Sequence, residues 1–199
     1  ALSTNAVGDR NVALGNNALT AFAPTGNVDS YNVGVGYNTG AALTTGIQNT
    51  AIGGLALDAT TTADANTAVG YRALTASTTG ASNVALGANA GQAITTGGSN
   101  TLIGGSAGDA LTEANYNVAL GRNALSADTL GSKTIAIGYG ALDTQNFTSA
   151  TDAFNVAVGH NAGTAVTTGL RNTIIGGLAA DSLTEGTNNV ALGYNSLGA

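Results

Sequence analysis

Hydrophobic and polar positions alternate in short bursts along the whole chain. Each burst reads Asn-(Val/Thr)-Ala-(Leu/Ile/Val)-Gly with few departures, opening at Asn11, Asn32, Asn49, Asn66, Asn83, Asn100, Asn117, Thr134, Asn155, Asn172 and Asn189. Successive openings are 17 residues apart, except for two intervals of 21. An alternation of period two over five residues predicts a short strand. The intervening residues are crowded with Gly, Asn and Thr, which are poor helix formers, and helix-pair repeats need about 34 residues. Residues 1–199 therefore read as one all-β segment: a parallel β-roll or β-solenoid of 17-residue coils, two of them lengthened to 21.

With the opening residue as position 0, position 12 is Thr44, Thr61, Thr78, Thr95, Thr112, Thr129, Thr167 and Thr184, which fixes the register. The stretch Ala-x-Thr-Thr-Gly around it predicts a second strand ending in a Gly turn. Stacking such coils pairs equivalent strands in parallel at about 4.8 Å, so eleven coils extend roughly 50 Å. The ten opening Asn would then form a ladder of side-chain amides, as in cross-β stacks.

A coil of two strands encloses a thin core, which positions 1 and 3 are expected to fill. Position 2, mostly Ala, would then point outward. At two places it is larger, Leu102 and Ile174. A strand apolar on both faces is buried on both, so these two residues mark an expected subunit interface in a symmetric homo-oligomer.

Composition narrows the function classes. Only 8% of residues are charged, against roughly 25% in ordinary domains. Five Lys+Arg against eleven Asp+Glu are too few cations to neutralise phosphates, so nucleic acid is a poor partner. No run of 18 apolar residues spans a bilayer. The absence of Cys removes disulfides and thiolate metal sites. It fits an extracellular protein that does not depend on cross-links. The absence of Met, and a pattern that begins and stops within repeats, lead us to expect a fragment of a longer fibre-forming chain.

Runs such as Asn83-Val84-Ala85-Leu86-Gly87-Ala88-Asn89-Ala90-Gly91 and Asn117-Val118-Ala119-Leu120-Gly121-Arg122-Asn123-Ala124-Leu125 resemble the head repeats of trimeric autotransporter adhesins and similar repeats of bacteriophage tail fibres. The resemblance covers nearly the whole chain, although the adhesin head unit is shorter than 17 residues. It implies a left-handed parallel β-roll, three chains side by side in a fibre at a cell or virion surface, and attachment to a host glycan or protein. A self-assembling solenoid filament and an ice-binding solenoid built on the Thr column are the alternatives.

Nothing in the sequence converges on catalysis, and no cofactor or metal is implied. His160 is the single His. Asp58, Asp109 and Asp181 recur at position 9, but Asp58 and Asp109 lie three coils apart, about 14 Å by strand spacing. That exceeds the roughly 5–9.5 Å of a glycosidase pair. Candidate ligand contacts are the decorated corners at position 5, namely Tyr37, Tyr71, Arg122, Tyr139, His160 and Tyr194, with Arg72 adjacent. Aromatic and guanidinium groups on a rigid rail suit sugar or protein contact; packing between subunits is the other reading. The lengthened coils hold Phe22, Pro24, Tyr31, Phe147 and Phe154, expected as an intersubunit wedge or a contact loop.

Overall fold

The computed structural model describes residues 2–3 and 8–198. Residues 1, 4–7 and 199 of the expected segment lie outside the described residues. Fifteen short strands form among the described residues: β1 (Gly8–Asp9), β2 (Val12–Leu14), β3 (Val28–Asp29), β4 (Val33–Val35), β5 (Thr50–Ile52), β6 (Thr67–Val69), β7 (Val84–Leu86), β8 (Thr101–Ile103), β9 (Val118–Leu120), β10 (Gly131–Ser132), β11 (Ile135–Ile137), β12 (Thr151–Asp152), β13 (Val156–Val158), β14 (Thr173–Ile175) and β15 (Val190–Leu192). There is no helix among the described residues. One three-residue strand per repeat joins a single parallel sheet of eleven, each paired in register with its equivalent one coil on, as Val84 with Thr101 and Leu86 with Ile103. The chain is a parallel β-solenoid of eleven coils; coil 1 opens at Asn11 and coil 11 at Asn189.

The second expected strand is not formed. The Ala-x-Thr-Thr-Gly stretch around position 12 is turn and bend, and the corner before it passes through left-handed residues at positions 6 and 8, such as Asn89 (φ 59°) and Leu74 (φ 51°). Coils still bond to one another through this half, as in Thr78 N–H to the Thr95 carbonyl at 2.9 Å. Among the described residues, further strand appears only where a lengthened coil meets the stretch before it: β3 and β12, in the lengthened coils, pair with β1 and β10, which precede those coils' opening residues.

Which strand face turns inward reverses the sequence expectation. Position 2 is buried in the core, as Ala51, Ala68, Ala85, Ala119, Ala136 and Ala157. Positions 1 and 3 point out: Val84, Leu86, Ile52, Ile135 and Ile175 are exposed. The interior is too thin for two branched side chains from one strand, because positions 7, 8 and 11 also point into it. Where position 8 is Leu57, Leu74, Leu125 or Leu142, position 11 is Thr60, Ser77, Asp128 or Gln145; where position 8 is glycine, at 40, 91, 108 and 163, position 11 is Leu43, Ile94, Leu111 or Val166. In these eight coils a bulky apolar group at one of the two positions goes with a small or polar one at the other, which is close packing met by turns, while the lengthened coil 1 holds both Leu19 and Phe22.

Leu102 and Ile174 follow the same rule and are not a subunit interface, being 0% exposed in the single chain. They fill the space beside the glycines. A β-carbon on Gly108 would lie 2.8 Å from Leu102 Cδ2, and one on Gly163 would lie 2.9 Å from Ile174 Cδ1.

The Asn ladder forms, and does more than stack amides. In eight of the ten opening Asn, Oδ1 accepts the backbone N–H of the next coil's opening residue, as Asn83 from Asn100 at 3.0 Å, and Nδ2 donates to a carbonyl fourteen residues on, as Asn83 to Gly97 at 2.9 Å. Asn32, Asn49, Asn66, Asn83, Asn100, Asn117, Asn155 and Asn172 are buried. The ladder therefore satisfies groups that a thin core could not leave unpaired. Thr134, its one substitution, opens a 21-residue coil. At the other lengthened coil, the buried Asn11 Nδ2 has no partner among the described residues. Gln145 fills the gap at Thr134, donating to Thr134 Oγ1 at 3.2 Å and Asp128 Oδ2 at 2.6 Å while accepting from Asn155 Nδ2 at 2.8 Å.

The strict Thr column has a similar cause. Thr44, Thr61, Thr78, Thr95, Thr112 and Thr167 each donate their hydroxyl to the carbonyl of the equivalent Thr, or Thr129 and Thr184, one coil on. Glycine at position 4 is equally constrained: Gly87 has φ +143°, and a β-carbon there would meet the Gly104 carbonyl oxygen at 2.5 Å.

Candidate interaction surface: the sheet face and its rims

The outward face of the eleven-stranded sheet is the most distinctive surface of the molecule. Position 3 is Leu, Ile or Val in all eleven coils, from Leu14 to Leu192, and position 1 is Val or Ile in all but four, where it is Thr50, Thr67, Thr101 and Thr173. The resulting strip is charge-free, about 50 Å long and 10 Å wide. Its footprint of about 500 Å² is at the upper end of what a monomer leaves uncovered.

Two columns of side chains run along the long edges of this strip. On the rim after the strand lie the expected contact residues at position 5. Arg122, Tyr139 and His160 occupy three successive coils: the Arg122 guanidinium lies 6.0 Å from the centre of the Tyr139 ring, which stacks on His160 at 5.2 Å with planes 13° apart. Tyr71 carries Arg72 at 5.8 Å and lies against Gly54; Tyr194 lies against Gly177. Tyr37 has no aromatic or cationic neighbour in its column, where Asn16 and Gly54 flank it. The candidates thus form one cluster of three and three isolated aromatic positions.

The rim before the strand is formed by the residue preceding each opening residue, and the sequence reading did not assemble it. It holds Arg10, Tyr31, Tyr116, Lys133, Phe154 and Arg171. Arg10 lies 5.4 Å from the centre of the Tyr31 ring and pairs with Asp29. Lys133 lies 5.2 Å from the Phe154 ring and pairs with Asp152 at 2.6 Å. Counting within coils had hidden the column, because it falls at position 16 in normal coils and 20 in lengthened ones; counting back from each opening residue reveals it. Of the expected wedge, Phe22, Pro24 and Phe147 are buried, and only Tyr31 and Phe154 are exposed.

The two rims together contain all six Tyr, the single His and four of the five Lys+Arg, and no carboxylate. The carboxylates sit mainly on the far side, at positions 9 and 13. There a groove of about 360 Å³ is lined by Thr75, Gln92, Asp109 and Ser126 over a floor of Ala76, Ala93 and Ala110. Partial burial pushes Asp109 up from the usual carboxylate range, opposed by a hydrogen bond from Ser106. Asp58 accepts from the Thr75 hydroxyl at 3.0 Å. No group of three His, Cys, Asp or Glu placed to hold a metal ion occurs among the described residues.

Comparison with family models, with curated proteins and with solved structures finds no match to this chain.

Proposed function

We propose that this chain is a structural and adhesive segment of an extracellular homotrimeric fibre, a surface adhesin head or a phage tail fibre, that performs no catalysis. The observation that carries the reading is the uncharged Val/Leu/Ile face of the eleven-stranded sheet. An apolar strip running the full length of a rod is best covered by equivalent strips on copies of the same rod, since a common axis lets every coil repeat the same contact. The outer side, carrying the position-9 carboxylates and the Asp109 groove, then faces solvent. A host glycan or protein is the ligand class, and the left-handed coil goes with the resemblance to adhesin head repeats. The Thr column speaks against ice binding, because its hydroxyls are engaged by carbonyls of the next coil.

Multi-angle light scattering on the intact chain tests the reading, alongside a Leu86→Asp/Leu120→Asp variant placed on the strip. A trimer that the variant converts to folded monomers is the expected result. A wild-type monomer would sink the fibre reading, and a dimer would sink the three-chain form of it.

A further inference from the structure

The two rims are complementary in coils 3, 4 and 7–10, whereas coil 2 sets Tyr31 level with Tyr37 and coils 5 and 6 set small residues level with small ones. In coil 7, Tyr116 stands on one rim and Arg122 on the other; in coil 8, Lys133 and Tyr139; in coil 9, Phe154 and His160. Every cation or His in this block stands level with an aromatic ring. Size matches as well: the large Tyr71 is level with Ala65, and Gly54 and Gly177 are level with Gln48 and Arg171. Within one chain these partners cannot meet, because the strand lies between them.

We propose that the rims form an intersubunit seam, in which the residue before each strand of one copy packs against position 5 of the same coil in the next. The inference rests on the homo-oligomer reading above and deepens it. Rotation about an axis parallel to the rod carries the first rim of one copy onto the second rim of its neighbour without a change of height. An axis perpendicular to the rod instead sets like rims together with heights reversed. Only the first arrangement brings Tyr116 to Arg122 and Lys133 to Tyr139. The seam then interleaves cations and rings, extending the ladders that each rim already makes within its own chain. Cation–ring pairs of this kind contribute about 0.5–1 kcal/mol each at exposed sites, or roughly 2- to 5-fold in affinity per pair. Their main effect is register: a slip of one coil sets Lys133 against Arg122 or His160, cation against cation or imidazole.

The chain has no Cys, so placed thiols report the seam cleanly. Ser82 and Ala88 are exposed residues on the two rims of coil 5. The Ser82→Cys/Ala88→Cys protein, treated with a short bismaleimide, should close into covalent rings of the same subunit number that light scattering gives. Ser82→Cys combined with Tyr71→Cys or with Gly105→Cys, one coil off in either direction, should cross-link less, and Ser82→Cys or Ala88→Cys alone should not link copies. Equal yields in all three pairs, or linkage by single variants, would overturn the seam while leaving an oligomer in place. An uncross-linked oligomer would do the same. A monomer would overturn the oligomer reading and the seam with it.

Discussion

Leu102 Cδ1 lies where a β-carbon on Gly91 would come within 2.7 Å, so a leucine in one coil depends on a glycine in the coil before it. The space is further enclosed by Leu74 Cδ2 and Ile94 Cδ1, at 2.9 and 3.2 Å from the same point.

Gly91→Ala should therefore destabilise the fold by about 2–4 kcal/mol, combining overpacking with a left-handed backbone (φ +58°) that alanine adopts at a cost. Leu102→Ala should cost about 2–5 kcal/mol through the cavity it leaves. The double variant should be destabilised by less than the sum, because each change makes room for or fills the other. Urea unfolding at fixed protein concentration measures all three. Simple additivity would mean that the two coils do not share this space.

Asp128 sets the pH response of the core. Burial pushes its carboxyl up from the usual range, opposed by hydrogen bonds from Gln145 and from the backbone N–H groups of Phe147 and Gly131. With a folded-state pKa above the unfolded one, the native chain binds the extra proton between the two values, so stability falls as pH rises through that window. In Asp128→Asn this titration is absent. The wild-type stability minus that of the variant should decline as pH is raised from the ordinary carboxylate range through the raised pKa of Asp128. Thermal unfolding across that range checks the sign. A difference that is flat or grows with pH would show that Asp128 is not held in an environment hostile to its charge.

The repeat length, the first strand of each coil, its parallel register and the Asn ladder were legible in the sequence because each is periodic, and a period survives any doubt about which way a side chain points; the second strand, expected around position 12, was not there to be found. Facing was not legible. In Val84-Ala85-Leu86 both sets of alternate residues are apolar, so a binary pattern fits either orientation. Volume decides, since the interior that also receives Leu74, Ile94 and Leu111 has room for Ala85 but not for Val84 and Leu86. Leu102 and Ile174, which looked like outward exceptions, are the core's answer to glycines in neighbouring coils. The rim after the strand was legible because position 5 has the same number in every coil. The rim before it was not, because the lengthened coils displace Tyr31 and Phe154 from the count that holds Tyr116 and Lys133.

The Asn ladder offers a graded test of how far satisfying buried groups, rather than stacking amides, holds the coils together. Asn83→Ala leaves the Asn100 N–H and the Gly97 carbonyl without their side-chain partner in a dry interior. At about 1–3 kcal/mol for each orphaned group, the loss should be on the order of 2–6 kcal/mol. Asn83→Asp keeps the acceptor for Asn100 but loses the donor to Gly97 and buries a charge, so it should be worse than Asn83→Ala at neutral pH and recover as the carboxyl is protonated in acid. Thr134→Asn should be unfavourable although it restores the consensus residue, because Asn11, which opens the other lengthened coil, has no partner for its Nδ2 among the described residues. Urea unfolding of the four proteins at neutral and acid pH orders them. If Thr134→Asn stabilised the chain, the ladder would owe its strength to the stacked amides, and the carbonyl partners would be incidental.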